Sequence, residues 1–381
     1  MVVEPKVKAE VRLAKIFTDN MMLQRDKPIK VWGIATPGGK VKISISGKEI
    51  EVIAGSDGKF LGQLPAIDKG ENLELIVTEV NTLTIKNIII GDIWICSGQS
   101  NMEFKLGTMR SIAAEEIDSA DFPKIRHFVV GGGALPYPQT EVGGGPWVIC
   151  TPKTAGNITA VGFFFGREIH RKTQVPIGLL DCNWGGTQIE PWVPKEGLLL
   201  VPELKGSLDK IESDYKTWLS SVPKMAEEAE KWASIAREAV KSNGTVPMAP
   251  VFQGPPGYNI RDYWTNIYNG KVLPIINFPI KGAIWYQGES NGGQGDAYYH
   301  KMQALIGGWR AVWNQGNFPF YFVQLANFQE PNDNPAGGDG WTKTRSAQVD
   351  SLKIPNTGMA VALDIGEAKD IHPRDKLNVG L

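Results

Sequence analysis

An apolar run that stops abruptly at a group of small polar residues constrains the fold of this chain more than any other feature. Residues 88–96 read IIIGDIWIC and have the length and composition of a buried strand. The run ends at SGQSN over residues 97–101. Open α/β sheets bind ligands beyond the carboxyl ends of their strands, and a serine can be held exposed at a sharp turn from strand to helix. We therefore predict that Ser100 is a nucleophile.

The chain from residue 88 onward alternates between strand-like and helix-like segments. Further strands are predicted at 124–130, 176–182, 280–286, 318–326 and 358–364. Helices are predicted at 111–119, 160–172, 297–313 and 344–352. Such alternation is typical of an α/β fold in which helices flank both faces of a parallel sheet.

Two other segments have a different character. Residues 1–87 contain short alternating strands between turn signals, which favours a β-sandwich-like N-terminal domain. Residues 88–381 form the predicted catalytic domain. Apolar residues at helical spacing within about 197–262 indicate an inserted helical hairpin that is broken at Pro223. The last residues resemble the start of a helix, so we expect the C-terminal end of the domain to be truncated at Leu381.

The composition argues against several classes of partner and site. A net charge of −1 gives no electrostatic support for binding nucleic acid. Cys96, Cys150 and Cys182 form no C-x-x-C pair, which argues against a disulfide framework and a zinc site. No apolar run is long enough to span a membrane, and the N-terminus lacks the apolar core of a signal peptide. The sequence contains no signal for an oligomeric state.

Hydrolysis by a serine requires a base that accepts the hydroxyl proton, and histidine is the usual base. The chain has four histidines. His127, His170 and His300 lie within strand-like or helix-like stretches and are interpreted as ordinary structural residues. His372 follows the last predicted strand in a loop fixed by Pro373, on the same edge of the sheet as the serine. We therefore predict that His372 is the base.

The surroundings of Ser100 differ from the G-x-S-x-G turn of α/β-hydrolases, because Met102 stands in place of the second glycine. The chain instead resembles the SGNH (GDSL-like) hydrolase superfamily and, within it, the sialate O-acetylesterase-type carbohydrate esterases. The motifs that carry this resemblance are GQSN at 98–101, WGGT at 184–187, YQGESN at 286–291 and DIHP at 370–373, with further matches at 19–25 and 91–94. The resemblance covers nearly all of the chain and implies an SGNH-type parallel sheet.

The resemblance also implies roles for individual residues. Ser100 would be the nucleophile, and His372 would be the general base that later donates its proton to the departing alcohol. The backbone N–H groups of Ser100 and Gly185 would form part of the oxyanion hole. A side-chain amide would be the third donor; we expect Gln287 to supply it, with Asn291 as the alternative.

The acid behind the histidine departs from the pattern of the superfamily. The usual spacing is D-x-x-H, but Lys369 occupies that position and Asp370 lies one residue closer to His372. We predict that Asp370 orients the imidazole through a turn. The alternative is a Ser–His dyad in which a backbone carbonyl holds the ring. Three other carboxylates are further candidates for the acid: Asp364, Glu367 and Asp375.

Other side chains are predicted near the catalytic edge of the sheet. Asn101, Trp184 and Trp285 are candidate substrate contacts, since tryptophan rings stack well on sugars. Core packing explains either tryptophan equally well. For Asn101 and Glu103 we favour hydrogen bonds that hold the serine turn. Glu289 is interpreted as a buried hydrogen-bonding residue rather than an acid catalyst.

The resemblance implies removal of acetyl groups from sugar hydroxyls through an acetyl-serine intermediate, with no metal or organic cofactor. Acetylated sialic acid and plant polysaccharides such as xylan or xyloglucan stay open as substrates. The carboxylate of sialic acid requires an arginine, for which Arg110, Arg261 and Arg345 are candidates. Two alternatives also stay open: a lipid or thioester hydrolase of the same fold, and a non-catalytic carbohydrate-binding protein. The resemblance implies a periplasmic or secreted location.

Overall fold

A computed structural model describes residues 10–330, 333 and 340–381 of the chain. Its strands are β1 (Arg12–Leu13), β2 (Met22–Gln24), β3 (Ile29–Ile34), β4 (Lys40–Ile45), β5 (Lys48–Ile53), β6 (Lys59–Leu64), β7 (Leu73–Thr78), β8 (Thr82–Gly98), β9 (Phe122–Gly131), β10 (Gly143–Gly144), β11 (Val148–Cys150), β12 (Ile177–Asn183), β13 (Gly282–Tyr286), β14 (Phe320–Val323) and β15 (Thr357–Ala360). Its α-helices are α1 (Ser100–Glu103), α2 (Arg110–Asp118), α3 (Ala160–Thr173), α4 (Lys195–Leu200), α5 (Lys205–Lys241), α6 (Ala297–Trp313), α7 (Gly340–Asp350) and α8 (Lys376–Gly380).

The main sheet confirms the predicted α/β fold. Its strands follow the order β10-β9-β12-β8-β13-β14-β15. Every pairing from β9 to β15 along this order is parallel, whereas β10 and β11 pair with β9 in the antiparallel direction. Strand β8 therefore lies near the middle of the sheet, and its carboxyl end is flanked by the carboxyl ends of β12 and β13.

Helices cover both faces of this sheet, because β8 is apolar on both of its sides. Ile95 belongs to a buried cluster that includes Trp309 of α6. The next residue, Cys96, points to the opposite face and belongs to a second cluster that includes Phe163 of α3. Residues 88–98 of β8 are all buried, which is typical of a strand in a parallel sheet enclosed between helices.

The N-terminal strands form two small groups, of which one is a separate sheet and the other continues into the main sheet. Strands β1, β3 and β6 form one sheet, and β5, β4 and β7 form another that joins β8. A side chain at Gly62 of β6 would collide with Ile43 of β4 and Ile50 of β5, so the two sheets pack face to face. The predicted boundary at residue 87 lies inside β8, which runs unbroken from Thr82 to Gly98. The predicted domain division at that residue stays a prediction.

The inserted segment differs from the predicted hairpin, because Lys205–Lys241 forms the single helix α5. Pro223 lies inside this helix. An interior proline costs about 3 kcal/mol, mainly through a lost hydrogen bond and a steric clash, but strong helix formers such as Lys, Glu and Ala flank it on both sides. The buried residues of α5 are Leu208 and Ile211, near its start.

A helix that crosses a membrane must be both long and apolar. Among the residues that the structure describes, no helix combines these two properties.

Candidate active site

The turn that carries Ser100 is fixed by backbone contacts at the end of β8. Gly98 adopts a φ of +130°, a conformation that strongly favours glycine. A Cβ atom at this position would lie 2.1 Å from the carbonyl oxygen of Tyr286 on the neighbouring strand. The backbone N–H of Gln99 donates to that same oxygen at 2.9 Å. The chain must therefore turn sharply here, and Ser100 becomes the first residue of the short helix α1.

The structure brings Ser100 and His372 together. The distance between His372 Nε2 and Ser100 Oγ is 2.8 Å, although the two residues are 272 positions apart in the sequence. This is the geometry in which an imidazole accepts the hydroxyl proton of a nucleophile. The His372 side chain is 38% exposed, so the pair is open to substrate.

The other three histidines lie elsewhere. His127 is buried in β9, and burial lowers its pKa to about 4, which keeps it neutral. His170 on α3 contacts the carbonyl oxygen of Val175 through Nδ1. His300 lies on the partly exposed face of α6, 3.7 Å from Glu203. These placements agree with the interpretation of all three as structural residues.

Asp370 lies next to the Ser100–His372 pair. Its Oδ1 atom accepts the backbone N–H of His372 at 2.9 Å and lies 3.5 Å from Nδ1 of the same residue. The latter distance exceeds that of a good hydrogen bond. The other two nearby carboxylates have different partners: Glu367 pairs with Arg374 at 3.1 Å, and Asp375 caps α8. Asp370 is therefore the best placed of these acids, while Asp364 is exposed at the surface.

Gly185 occupies the position expected of an oxyanion donor beside the serine. A Cβ atom at Gly185 would lie 3.4 Å from Cβ of Ser100. The Gly185 N–H donates to Oε2 of Glu103 at 2.6 Å. Glu103 is exposed, so a substrate oxygen can displace its carboxylate from this donor. Glu103 thus holds the glycine turn against α1, in line with the structural role that the sequence favours.

The structure does not bring a free amide of Gln287 or Asn291 to the oxyanion position. The Gln287 side chain is fully buried, and its Nε2 donates to Gln99, to the carbonyl of Thr187 and to Asn291. Nδ2 of Asn291 donates to Glu190 and Gln294. Both amides instead fasten the loop after β13 to the loop after β12. A motif cannot reveal this, because it does not show which partner each N–H has.

A buried polar cluster holds the loop on either side of His372. Asn101 donates through Nδ2 to the carbonyl oxygen of Ile371 at 3.0 Å and to Glu289 Oε1 at 2.5 Å. Lys376 donates through Nζ to Oδ1 of Asn101 at 2.7 Å and to the carbonyl of Pro373. We call Asn101, Glu289 and Lys376 the histidine clamp. Asn101 and Lys376 bind the carbonyls directly before and after His372, and Glu289 accepts a hydrogen bond from Asn101.

The histidine clamp lies away from water. Lys376 is 0% exposed, and burial lowers its pKa to about 8, with the charge of Glu289 acting in the opposite direction. Burial also raises the pKa of Glu289. Oε2 of Glu289 is buried and has no hydrogen-bond partner in the part of the chain that the structure describes. Glu289 is thus a buried hydrogen-bonding residue, whereas nothing in the sequence around Lys376 predicts its position.

Two of the three candidate substrate contacts face the interior. Asn101 is 1% exposed and takes part in the histidine clamp. Trp285 is also 1% exposed and packs edge-on against Trp192 and Trp309, so it is a core residue. Trp184 is partly exposed, and Nζ of Lys271 lies 5.9 Å from its ring centre. The structure therefore leaves Trp184 as the candidate that can contact a substrate.

Arg261 is the candidate arginine that lies at the glycine turn, the residues 183–187 that follow β12. Its Nη2 atom donates to the carbonyl of Gly186 at 2.6 Å, and Nη1 lies 3.4 Å from that of Gly185. Its Nε and Nη2 also donate to Oδ2 of Asp262. Most of its donors and its charge are therefore engaged. Two other arginines lie elsewhere: Arg110 pairs with Asp118 at the surface, and Arg345 lies on α7.

Comparison with known proteins gives concordant results. A family model described as carbohydrate esterase, sialic acid-specific acetylesterase, matches residues 90–235 and 233–380. The sialate O-acetylesterase of Rattus norvegicus is 29% identical over 413 residues, covering 95% of this chain and 70% of that protein. That of Mus musculus is 29% identical over 403 residues, with the same two coverages. The crystal structure of a carbohydrate acetylesterase from Xanthomonas citri is 31% identical with a TM-score of 0.77, covering 97% of this chain and 72% of that one.

Proposed function

Since this chain belongs to the sialic acid-specific acetylesterase family of carbohydrate esterases, we propose that it removes O-acetyl groups from sugars through an acetyl-serine intermediate on Ser100. The observation that carries this mechanism is the distance of 2.8 Å between Ser100 Oγ and His372 Nε2. The pair lies at the carboxyl edge of the sheet, where one partner follows the central strand β8 and the other follows the edge strand β15.

The first half of the reaction transfers the acetyl group to the enzyme. Ser100 Oγ forms a bond to the carbonyl carbon of the ester while its proton moves to Nε2 of His372. The carbonyl oxygen becomes an oxyanion, which accepts the N–H groups of Ser100 and Gly185 once Glu103 has been displaced. The intermediate then collapses: the bond to the sugar oxygen breaks, and that oxygen takes the proton from His372. The products are a free sugar hydroxyl and acetyl-serine.

The second half of the reaction restores the enzyme. A water molecule attacks the acetyl carbon and gives one proton to Nε2 of His372. Collapse of this second intermediate breaks the bond to Ser100 Oγ, which takes the proton back from the imidazole. Acetate leaves, so one ester bond and one water molecule are consumed in each cycle. Asp370 stabilises the imidazolium that forms twice in this cycle, from a distance of 3.5 Å.

The proposed substrate is an O-acetylated carbohydrate. The rat and mouse relatives are named sialate O-acetylesterases, and the Xanthomonas citri neighbour is named a carbohydrate acetylesterase. Acetylated sialic acid and acetylated plant polysaccharides both belong to this class. Arg261, the arginine at the glycine turn, already forms an ion pair with Asp262. Its positive charge is therefore largely neutralised and would attract a substrate carboxylate only weakly. The expectation of a periplasmic or secreted location stays a prediction.

The test of the mechanism is hydrolysis of 4-nitrophenyl acetate by the wild type and by Ser100→Ala and His372→Ala. We expect each substitution to lower kcat by about four orders of magnitude or more, as in other serine hydrolases. Mass spectrometry of rapidly quenched wild-type enzyme should detect one added acetyl group on the peptide that contains Ser100. A burst of 4-nitrophenol in the first turnover would give the same information kinetically.

Matched controls lie on the surface of the same chain. Ser220→Ala removes an exposed serine from α5, and His300→Ala removes a partly exposed histidine from α6. Both controls should keep wild-type activity. If Ser100→Ala hydrolyses the ester as fast as Ser220→Ala does, Ser100 is not the nucleophile and the proposed mechanism fails.

A further inference from the structure

A cleft of about 350 Å³ is lined by residues outside the candidate active site and has no part in the chemistry described above. Its walls are rich in aromatic side chains, and we call it the aromatic cleft. The rings that define it are Tyr137, Tyr215, Tyr263, Trp264 and Tyr268. Tyr137 is 51% exposed and Tyr215, on α5, is 50% exposed, so two of these rings are accessible to a ligand.

The aromatic cleft opens on the same edge of the sheet as Ser100. Tyr137 lies in the loop that follows Gly131, the last residue of β9. Strand β9 pairs with β12, and β12 pairs with β8, all in the parallel direction. Adjacent strands are about 4.8 Å apart, so the end of β9 lies roughly 10 Å across the sheet edge from the end of β8. The loop that carries Tyr137 begins at that strand end.

The segment 261–271, which forms the other side of the cleft, is hydrogen-bonded to the glycine turn at residues 183–187. Arg261, two residues before Tyr263, donates to the carbonyl of Gly186 at 2.6 Å. Lys271 donates through Nζ to the carbonyl of Asn183 at 3.1 Å. The segment 261–271 is thus bound at both of its ends to the residues that precede and follow Trp184 and Gly185. The same hydrogen bonds therefore hold this side of the cleft and the turn that contains Gly185, the proposed oxyanion donor.

The opposite wall is also preformed. The backbone N–H of Leu135 donates to the carbonyl of Asn266 at 2.9 Å, and Nδ2 of Asn269 donates to the carbonyl of Leu135 at 3.1 Å. The N–H of Gln139 donates to the carbonyl of Asn269 at 3.1 Å. Tyr137 lies between these anchored positions. A ligand that enters the cleft therefore does not have to order the loop, which lowers the entropy loss on binding.

The lining of the cleft fits an uncharged sugar. Tyrosine and tryptophan rings combine a rigid apolar face with a polar tip, which matches a sugar ring with its C–H faces and hydroxyl groups. Two exposed charges of opposite sign, Lys195 and Glu196, lie at its rim, so the cleft has no net preference for an anion. Asn266 and Asn269 also belong to the lining, where their Nδ2 groups donate to the backbone carbonyls of Gly257, Ile260 and Leu135.

We propose that the aromatic cleft is a binding subsite for neutral sugar units that lie one or two rings away from the acetylated one. This inference rests on the proposed function and makes it more specific, because it assigns an oligosaccharide or polysaccharide rather than an acetylated monosaccharide as the preferred substrate. The cleft contributes binding to the remote sugars, and the catalytic pair acts on the acetyl group at the end of β8.

The test measures kcat/KM of the full chain on three substrates: 4-nitrophenyl acetate, O-acetylated methyl xyloside and O-acetylated xylotetraose. We expect the wild type to prefer the tetrasaccharide over the monosaccharide by about tenfold in kcat/KM, equivalent to about 1.4 kcal/mol. Tyr137→Ala and Tyr215→Ala should each remove most of this preference, mainly through a higher KM. Neither variant should change the rate with 4-nitrophenyl acetate by more than about twofold.

Tyr258→Ala is the matched control, since Tyr258 is also 50% exposed, lies in the same insertion and does not line the cleft. It should keep the wild-type preference. The proposal is overturned if the wild type shows no preference, if both cleft variants retain it, or if they lose activity on all three substrates in parallel. A wild type that hydrolyses none of the three, including the simple ester, would instead refute the proposed function.

Discussion

The serine turn and the histidine loop, the two halves of the catalytic pair, are positioned by different kinds of contact. Ser100 follows the central strand β8, and backbone groups of both neighbouring strand ends fix its turn: Gln99 donates to Tyr286, and Trp184 donates to Gly98. His372 lies in a loop beyond the edge strand β15, where Asn101 and Lys376 hold the backbone through their side chains.

This difference determines which substitutions can displace Ser100 and which can displace His372. The position of Ser100 depends on the backbone of the sheet, which few side-chain substitutions can change. The position of His372 depends on two buried polar side chains, so the loss of one of them can separate base from nucleophile while the sheet stays intact. The predictions below test this distinction.

The largest effect is expected from Gly98→Ala. The new Cβ would lie 2.1 Å from the carbonyl oxygen of Tyr286, and a φ of +130° strains any residue other than glycine. We expect a loss of at least about 3 kcal/mol in the free energy of unfolding, together with the loss of esterase activity. Urea unfolding measures the free energy of unfolding, and hydrolysis of 4-nitrophenyl acetate measures the esterase activity. Gly145→Ala is the control, because a Cβ there meets no atom within 4 Å. A Gly98→Ala enzyme of normal stability would show that the turn is not fixed by the backbone.

The second largest effect is expected from Lys376→Met. This substitution keeps the volume of the side chain but removes the ammonium group that donates to Asn101 and to the carbonyl of Pro373. We expect kcat to fall roughly 100-fold with little change in KM, since a displacement of about 1 Å of a catalytic group is sufficient for such a loss. Lys376→Gln, which keeps an N–H donor, should recover part of the activity. A Met variant with wild-type kcat would show that the clamp does not position His372.

The pH dependence of the free energy of unfolding gives an independent measure of how strongly burial lowers the pKa of Lys376. Its pKa in the folded protein is about 8, below the value of about 10.4 in an unfolded chain. Between these values the unfolded state binds a proton that the folded state does not, so the free energy of unfolding should rise with pH, by up to about 3 kcal/mol. Below about pH 8 both states are protonated and this contribution is constant. Urea unfolding at a series of pH values should show this rise in the free energy of unfolding for the wild type relative to Lys376→Met. If the free energies of the two proteins change in parallel with pH, the prediction is contradicted.

The sequence predicts the serine turn better than the histidine loop, for a physical reason. Gly98 and Ser100 belong to one continuous strand and turn, and their pattern of apolar and small residues is local. The contact of Lys376 with Asn101 joins residues 275 positions apart, and a lysine in a polar stretch has no pattern that indicates burial. The same limit applies to Gln287, whose motif is recognisable but whose N–H groups have partners on three separate residues.

The smallest effect is expected from Asp370→Asn, because this carboxylate is half exposed and 3.5 Å from Nδ1 of His372. Water screens its charge, so it stabilises the imidazolium only weakly, and we expect kcat to fall about tenfold. Asparagine can still accept the N–H of His372, so the turn of the loop should persist. Asp375→Asn, at the cap of α8, is the control.

The size of that loss separates two forms of the histidine loop. A buried aspartate that is hydrogen-bonded to the imidazole is worth about 10⁴-fold in kcat. If Asp370→Asn loses as much, the carboxylate must move onto Nδ1 when substrate binds, and the loop closes during the reaction. A tenfold loss means that the histidine clamp holds His372 in place without such a movement. In that case Asn101 and Lys376 provide the orientation that a buried acid provides in other serine hydrolases.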